Sequence, residues 1–167
     1  MQQIVAATAL LFVFCCQPAH ADPLTDKQIL EVMRNLSATE YWSKGPLSLV
    51  TYCQKQYPDT AAASAQAFTE WVRSNVEYTH RVNAIQDFFI PLVARRMGKS
   101  DDGYNLHLTK MMDEVIVQKL EQGFDEGRRH EHCRDFPALL HAMFATDLIK
   151  PRVTIAVEAL EALRAGR

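Results

Sequence analysis

Glycine and proline are sparse in this chain, 6 and 7 residues of 167, and that scarcity excludes collagen-like and low-complexity architectures. Neither sign of charge is in excess. Lys and Arg number 18 against 20 Asp and Glu, a net charge of -2, so the chain has no electrostatic footprint for nucleic acid or for an anionic membrane surface. No apolar run reaches the roughly 20 residues that a membrane-crossing helix requires. Strict alternation of apolar and polar residues is missing, as are Asn-Gly or Asp-Gly turns between strand-like runs, so strands are not expected. What is present is ordinary globular composition, 48% hydrophobic and 23% charged, with helical periodicity almost throughout.

The longest apolar run is Ile4–Phe14 (IVAATALLFVF). It is too short to span a bilayer and fits the apolar region of a secretory signal peptide. Pro18 follows, and Ala19-His20-Ala21 places small residues where signal peptidase needs them. Met1-Gln2-Gln3 departs from the pattern, because it carries no Lys or Arg ahead of the run. Cys15 and Cys16 do not form a lipoprotein box, since Val13 and Phe14 are too bulky for the positions before the cysteine. The reading is a signal peptide over residues 1–21, cut before Asp22, and a single helical domain over 22–167. That product is expected to be periplasmic or secreted and not embedded in a membrane.

Cleavage leaves Cys53 and Cys133, 80 positions apart. An even count in an exported chain implies a disulfide, and two cysteines permit one pairing. Their surroundings echo each other. Cys53 is followed by a polar spacer, then Tyr57-Pro58 and an Ala-rich run; Cys133 is followed by Arg134-Asp135, then Phe136-Pro137 and Ala138-Leu139-Leu140. Proline disfavours helix in the residue before it and suits the first turn of the next one, so each aromatic-Pro step reads as a helix corner.

The expected fold is all-α, a small bundle of about five to six helices closed by this one disulfide. Thr25 with Gln28 is a capping box ahead of Ile29, Leu30, Met33 and Leu36. Ser37 with Glu40 reads as a second box, opening a short turn that ends at Gly45, with Pro46 beginning the next helix. After Pro58, Asp59 is expected to cap the longest helix, with Phe68, Trp71, Val72, Val82, Ile85 and Phe89 on one face and Pro91 kinking or ending it. Gly98–Gly103 reads as a loop. Tyr104–Leu120 follows as a helix with Leu108, Met112, Val115 and Leu120 inward, then an apolar segment Pro137–Leu148 ended by Lys150-Pro151. Val153, Val157, Leu160 and Leu163 mark the last helix.

Few constellations carry chemistry. His130-Glu131-His132-Cys133 is rich in ligand types, with His107 and His141 elsewhere, but His130 and His132 are two apart and diverge on a helix. The zinc-protease spacing and CxxCH are absent. Met111, Met112 and Met143 read as core filler rather than copper ligands. Gly98-Lys99-Ser100 lacks the first glycine of a phosphate loop, the position being Val93, and Asp101-Asp102-Gly103 lacks the oxygen pattern of a calcium hand. Glu70 and Glu77 are two helical turns apart, as an acid–base pair or a charged face would be. Asn75 falls on the apolar face of its helix and reads as a structural amide, with ligand orientation the competing role.

No catalytic, cofactor-binding or metal-binding residue is therefore assigned, and no cofactor is expected. The functional expectation is an exported helical protein that acts by binding another protein, such as an envelope component or a toxin, with no catalytic motif to point to an enzyme. The alternatives are a bundle that holds a small apolar or metal ligand near Phe68, Trp71 and Phe89, and an enzyme whose site is assembled from dispersed residues.

Overall fold

Thr25 opens the first helix as its sequence predicts. Its hydroxyl accepts from the Gln28 amide, and the Gln28 side chain reaches back to the Thr25 amide at 2.9 Å. From there the computed structural model, which describes residues 24–145 and 149–166, is helical nearly throughout. The segment holding Ile4–Phe14, Cys15, Cys16 and the cut after Ala21 lies outside the described residues, as does the Thr146–Leu148 stretch.

The described residues form seven α-helices and no strand. They are α1 (Asp26–Gln56), α2 (Ala61–Ser74), α3 (Val76–Arg96), α4 (Asp101–Gly123), α5 (Glu126–Arg134), α6 (Phe136–Leu140) and α7 (Ile149–Ala165). A 3-10 turn, Pro58–Thr60, joins α1 to α2, and a π-helical turn, His141–Ala145, follows α6. The architecture is the expected all-α bundle closed by Cys53–Cys133, with a helix count slightly above five to six.

Helix α1 is the axis of the fold and packs against α2, α3, α4 and α7. Its first half buries Val32, Leu36 and Trp42 against Val82, Ile85 and Phe89 of α3 and Val153, Val157 and Leu160 of α7. Its second half buries Leu49, Val50 and Cys53 against Met112, Ile116 and Leu120 of α4 and Phe136, Leu139 and Leu140 of α6. The Trp71 side chain on α2 packs against both groups. Burial of each such aliphatic or aromatic side chain contributes about 1.5–3 kcal/mol, which is why these contacts override weak local signals.

That override accounts for the main departure from the sequence reading. Ser37, Gly45 and Pro46 were expected to break the chain, yet α1 runs unbroken for 31 residues. The Ser37 hydroxyl donates to the Met33 carbonyl at 2.9 Å inside the helix instead of capping a new one. Glu40, its supposed capping partner, is buried. Pro46 removes one hydrogen bond to the Trp42 carbonyl, but Gly45, Pro46 and Leu49 are all buried in helical conformation, and that packing holds the helix together. Pro91 likewise lies inside α3 rather than ending it, and Pro151 sits in the first turn of α7, where a missing amide proton is harmless.

The expected long helix after Pro58 is divided. Asn75 closes α2, its backbone amide donating to the Trp71 and Val72 carbonyls, and α3 starts at Val76. Asp59 caps nothing; it pairs with His130. Val72, placed on the buried face by its spacing, is exposed. In α4 it is Ile116 that is buried, with Val115 half-buried.

Two turns behave as their residues dictate. Gly98, at φ +65, ends α3 in a left-handed conformation, with its amide donating to Arg95 and that of Lys99 to Ala94. Ser100 then caps α4 by accepting from the Gly103 amide, so the loop is shorter than the stretch from Gly98 to Gly103.

Candidate functional site

Cys53 and Cys133 occupy the positions that the paired helix corners imply. Each is the buried residue of a last helical turn, α1 in one case and α5 in the other, and their Cα atoms are 5.4 Å apart. Around the bridge, His130 of α5 stacks on Tyr57 at 4.8 Å and places Nε2 2.8 Å from the Asp59 carboxylate. The hydrogen bond from His130 holds the Asp59 carboxyl below the usual carboxylate range. His132 turns to a different neighbour, the Phe124 ring at 4.2 Å. The two histidines thus diverge, as their spacing predicts. Among the described residues no group of three His, Cys, Asp or Glu side chains gathers in a metal-binding arrangement.

Phe68 and Phe89, named for the ligand-binding alternative, belong to different hydrophobic clusters, with Trp71 packed against both. Phe89 is fully buried among Ile85, Val93 and the α1 and α7 side chains, whereas Phe68 stacks on Trp71 at 6.5 Å on the other side. Three concavities lie at helix junctions.

One cleft, about 220 Å³, lies where the C-terminal end of α2 meets α6 and the π-helical turn. It brings together Glu70, Asn75 and His141, three residue types singled out in the sequence, beside Trp71. Glu77 is exposed on α3 and does not join them. Asn75 donates its amide to the Trp71 carbonyl at 2.8 Å, and Glu70 accepts from Gln66 at 3.2 Å. The Asn75 amide therefore secures its own helix end, which is the structural role.

A second cleft, about 250 Å³, runs between α1, α4 and α7. Ala38, Tyr41, Val115, Ile149 and Val153 give it an apolar floor, and Lys119 and Arg152 stand at its rim. Tyr41 is anchored by donating to the Met143 carbonyl at 3.3 Å, and burial pushes its hydroxyl up to about 12. The Lys119 ammonium lies 4.9 Å over the Tyr41 ring.

A third, about 360 Å³, lies between α1, α3 and α4 and is lined mostly by residues with polar side chains. Gln86 of α3 is buried in its wall and donates to Ser43 at 2.9 Å and Thr39 at 3.2 Å. Those hydroxyls in turn donate to backbone carbonyls of α1, so the wall is a closed hydrogen-bond chain. Lys44 lines the cleft, and its ammonium is 3.5 Å from Glu40, whose side chain is only 1% exposed. Neither Glu40 oxygen has a hydrogen-bond partner. Burial raises the Glu40 carboxyl above its ordinary range, and the attraction of Lys44 offsets this only in part.

Sequence reading missed Glu40, Lys44 and Gln86. A signal existed for the first. Ile29, Val32 and Leu36 step along α1 at helical spacing, and the next step lands on Glu40, a charge on an apolar stripe. Comparison with protein-family models, with curated proteins and with solved structures finds no match for this chain.

Proposed function

We propose that the chain is exported through its N-terminal leader and acts by binding another protein. The docking surface is the cleft between α1, α4 and α7, and the partner presents an apolar segment flanked by acidic side chains. The observation that carries this is the pairing of an apolar floor with two cations at the rim, Lys119 and Arg152. Apolar contact supplies affinity and rim charge supplies partner choice. Export is supported by the Ile4–Phe14 run with Ala19-His20-Ala21, and by a cysteine pair at disulfide distance. No described helix is long and apolar enough to cross a membrane. The reading requires no catalytic group.

The test is cross-linking and co-purification of the tagged protein from its native envelope, comparing the parent with a Lys119→Glu/Arg152→Glu variant and with Lys27→Glu/Arg34→Glu, two exposed positions, as the control for charge change alone. A partner retained by the parent and the control, lost from the Lys119→Glu/Arg152→Glu variant, and released by rising salt supports the reading. A partner held equally by all three places the interface elsewhere. The same preparation gives the N-terminus. An intact mass that begins at Asp22 supports cleavage after Ala21, and one that begins at Met1 refutes it.

A further inference from the structure

We propose that the polar cleft between α1, α3 and α4 is a binding site for a small zwitterion, an α-amino acid, with Lys44 receiving the carboxylate and Asp113 the ammonium. This inference is independent of the protein-binding surface, which lies on another face of α1.

The lining of the cleft narrows the ligand class. It carries one cation, Lys44 on α1, and one carboxylate, Asp113 on α4. A single cation is too little for a phosphate or a dicarboxylate, and a single carboxylate is too little for a calcium or magnesium ion. No aromatic side chain lines the cleft, so no flat apolar face is present for a nucleobase to stack on. Apart from Leu47, the remaining groups are hydroxyls and amides, including Ser48, Asn83, Gln86 and Thr109. A ligand with one charge of each sign and short polar arms satisfies this set, and the volume of about 360 Å³ is at the small end of ligand pockets.

Two features mark the cleft as built rather than incidental. The first is the wall. Gln86 is 6% exposed, and its amide nitrogen is fixed by Thr39 and Ser43, which is the kind of rigid polar surface that recognition needs. The second is the carboxylate behind Lys44. Glu40 is withdrawn from water with neither oxygen hydrogen-bonded, an arrangement that lowers stability. The Glu40 carboxylate is 3.5 Å from the Lys44 ammonium. That attraction holds the flexible lysine at one place on the cleft wall. The pairing is an ion pair rather than a hydrogen bond, so the three protons of the ammonium remain for a ligand carboxylate. Glu40 is thus a positioning residue, and Lys44 and Asp113 are the ligand contacts.

The experiment is isothermal titration of the exported chain with glycine, L-serine and the other standard amino acids. Acetate and methylamine serve as half-ligands, and glucose and inorganic phosphate as controls. The variants are Asp113→Asn, Lys44→Met and Thr109→Trp, the last placing a bulky ring in the cleft. Asp113 and Thr109 are exposed, so those two variants keep the proposal testable if Lys44→Met fails to fold. The expected result is one site for an amino acid, weakened about tenfold or more by Asp113→Asn and abolished by Thr109→Trp, with acetate and methylamine each binding far more weakly than the whole ligand. Absence of binding for every amino acid at about 10 mM overturns the proposal, as does binding that Thr109→Trp leaves unchanged. Tighter binding of glucose or phosphate that Thr109→Trp removes overturns the ligand class.

Discussion

The Phe144 ring lies against the backbone of Gly45 so closely that a Cβ at position 45 would stand 2.5 Å from Cε1 and 2.9 Å from Cζ. Both residues are buried, and the glycine sits in the interior of α1, where its helix propensity is poor. Gly45→Ala therefore sets two effects against each other. The gain in helix propensity is about 1 kcal/mol. Displacing a fully buried ring held against Tyr41 at 4.9 Å is overpacking, which costs about 1–3 kcal/mol. The clash dominates, so Gly45→Ala lowers the midpoint of thermal unfolding, and Gly45→Ala/Phe144→Leu recovers part of the loss. A variant more stable than the parent would show that the ring yields freely.

Replacing Cys53 or Cys133 with serine releases the two helix corners. The chain-entropy effect of the bridge is about 2–5 kcal/mol, so the melting temperature falls by roughly 5–15 °C in either variant. Both cysteines are at most 1% exposed, so dithiothreitol reduces the native protein slowly, at a rate that follows unfolding. Thiol titration during a urea series checks this. Rapid reduction without denaturant would contradict the burial.

Glu40 makes stability depend on pH. Its folded-state pKa lies above the ordinary value of 4.5, so the native state binds its proton more tightly than the unfolded chain does. The contribution is fully present below that ordinary value and is lost as pH rises through the raised one. Glu40→Gln removes the ionisation, so urea unfolding of parent and variant converges near pH ~4, and the variant is the more stable at pH ~8. Lys44→Met has the opposite signature, destabilising most at the higher pH, where a buried carboxylate loses its partner.

Arg81 of α3 and Glu161 of α7 form a two-point ion pair at 2.6 and 2.5 Å, yet both side chains are more than a third exposed. Arg81 holds the Glu161 carboxyl below the usual range. Its stabilising effect is present above the ordinary carboxylate pKa and is lost as pH falls through the lowered one. Solvent screening limits the effect to under about 1 kcal/mol. Glu161→Gln should shift the urea midpoint slightly at low salt and by nothing measurable at about 1 M sodium chloride.

The all-α class, the Cys53–Cys133 pairing and the corners at Tyr57-Pro58 and Phe136-Pro137 were legible because each rests on short-range chemistry: periodicity, an even cysteine count, a proline that restricts its neighbour. The continuity of α1 was not. Ser37, Gly45 and Pro46 are genuine local stop signals, and only the burial of Trp42, Leu49 and Pro46 against distant helices overrules them. The break at Asn75 failed in the other direction, since nothing in Ser74-Asn75-Val76 forbids a continuous helix. The polar cleft was illegible for the same reason. Lys44, Gln86 and Asp113 are ordinary surface types in sequence, and it is the packing of three helices that brings them together.

The bridge between Cys53 and Cys133 also has a mechanical meaning. It ties 80 positions of chain into a covalent ring that contains α2, α3, α4 and nearly all of α5, whereas most of α1 on one side and α6 and α7 on the other lie outside it. A pulling force applied at the two ends is carried along α1, across the sulfur–sulfur bond and out through α6 and α7. The helices within the ring bear no load until that bond is cut. Fully extended, the sheltered segment would add about 270 Å of contour length at roughly 3.4 Å per residue. Single-molecule stretching of this chain should therefore release that length only after a reductant is added.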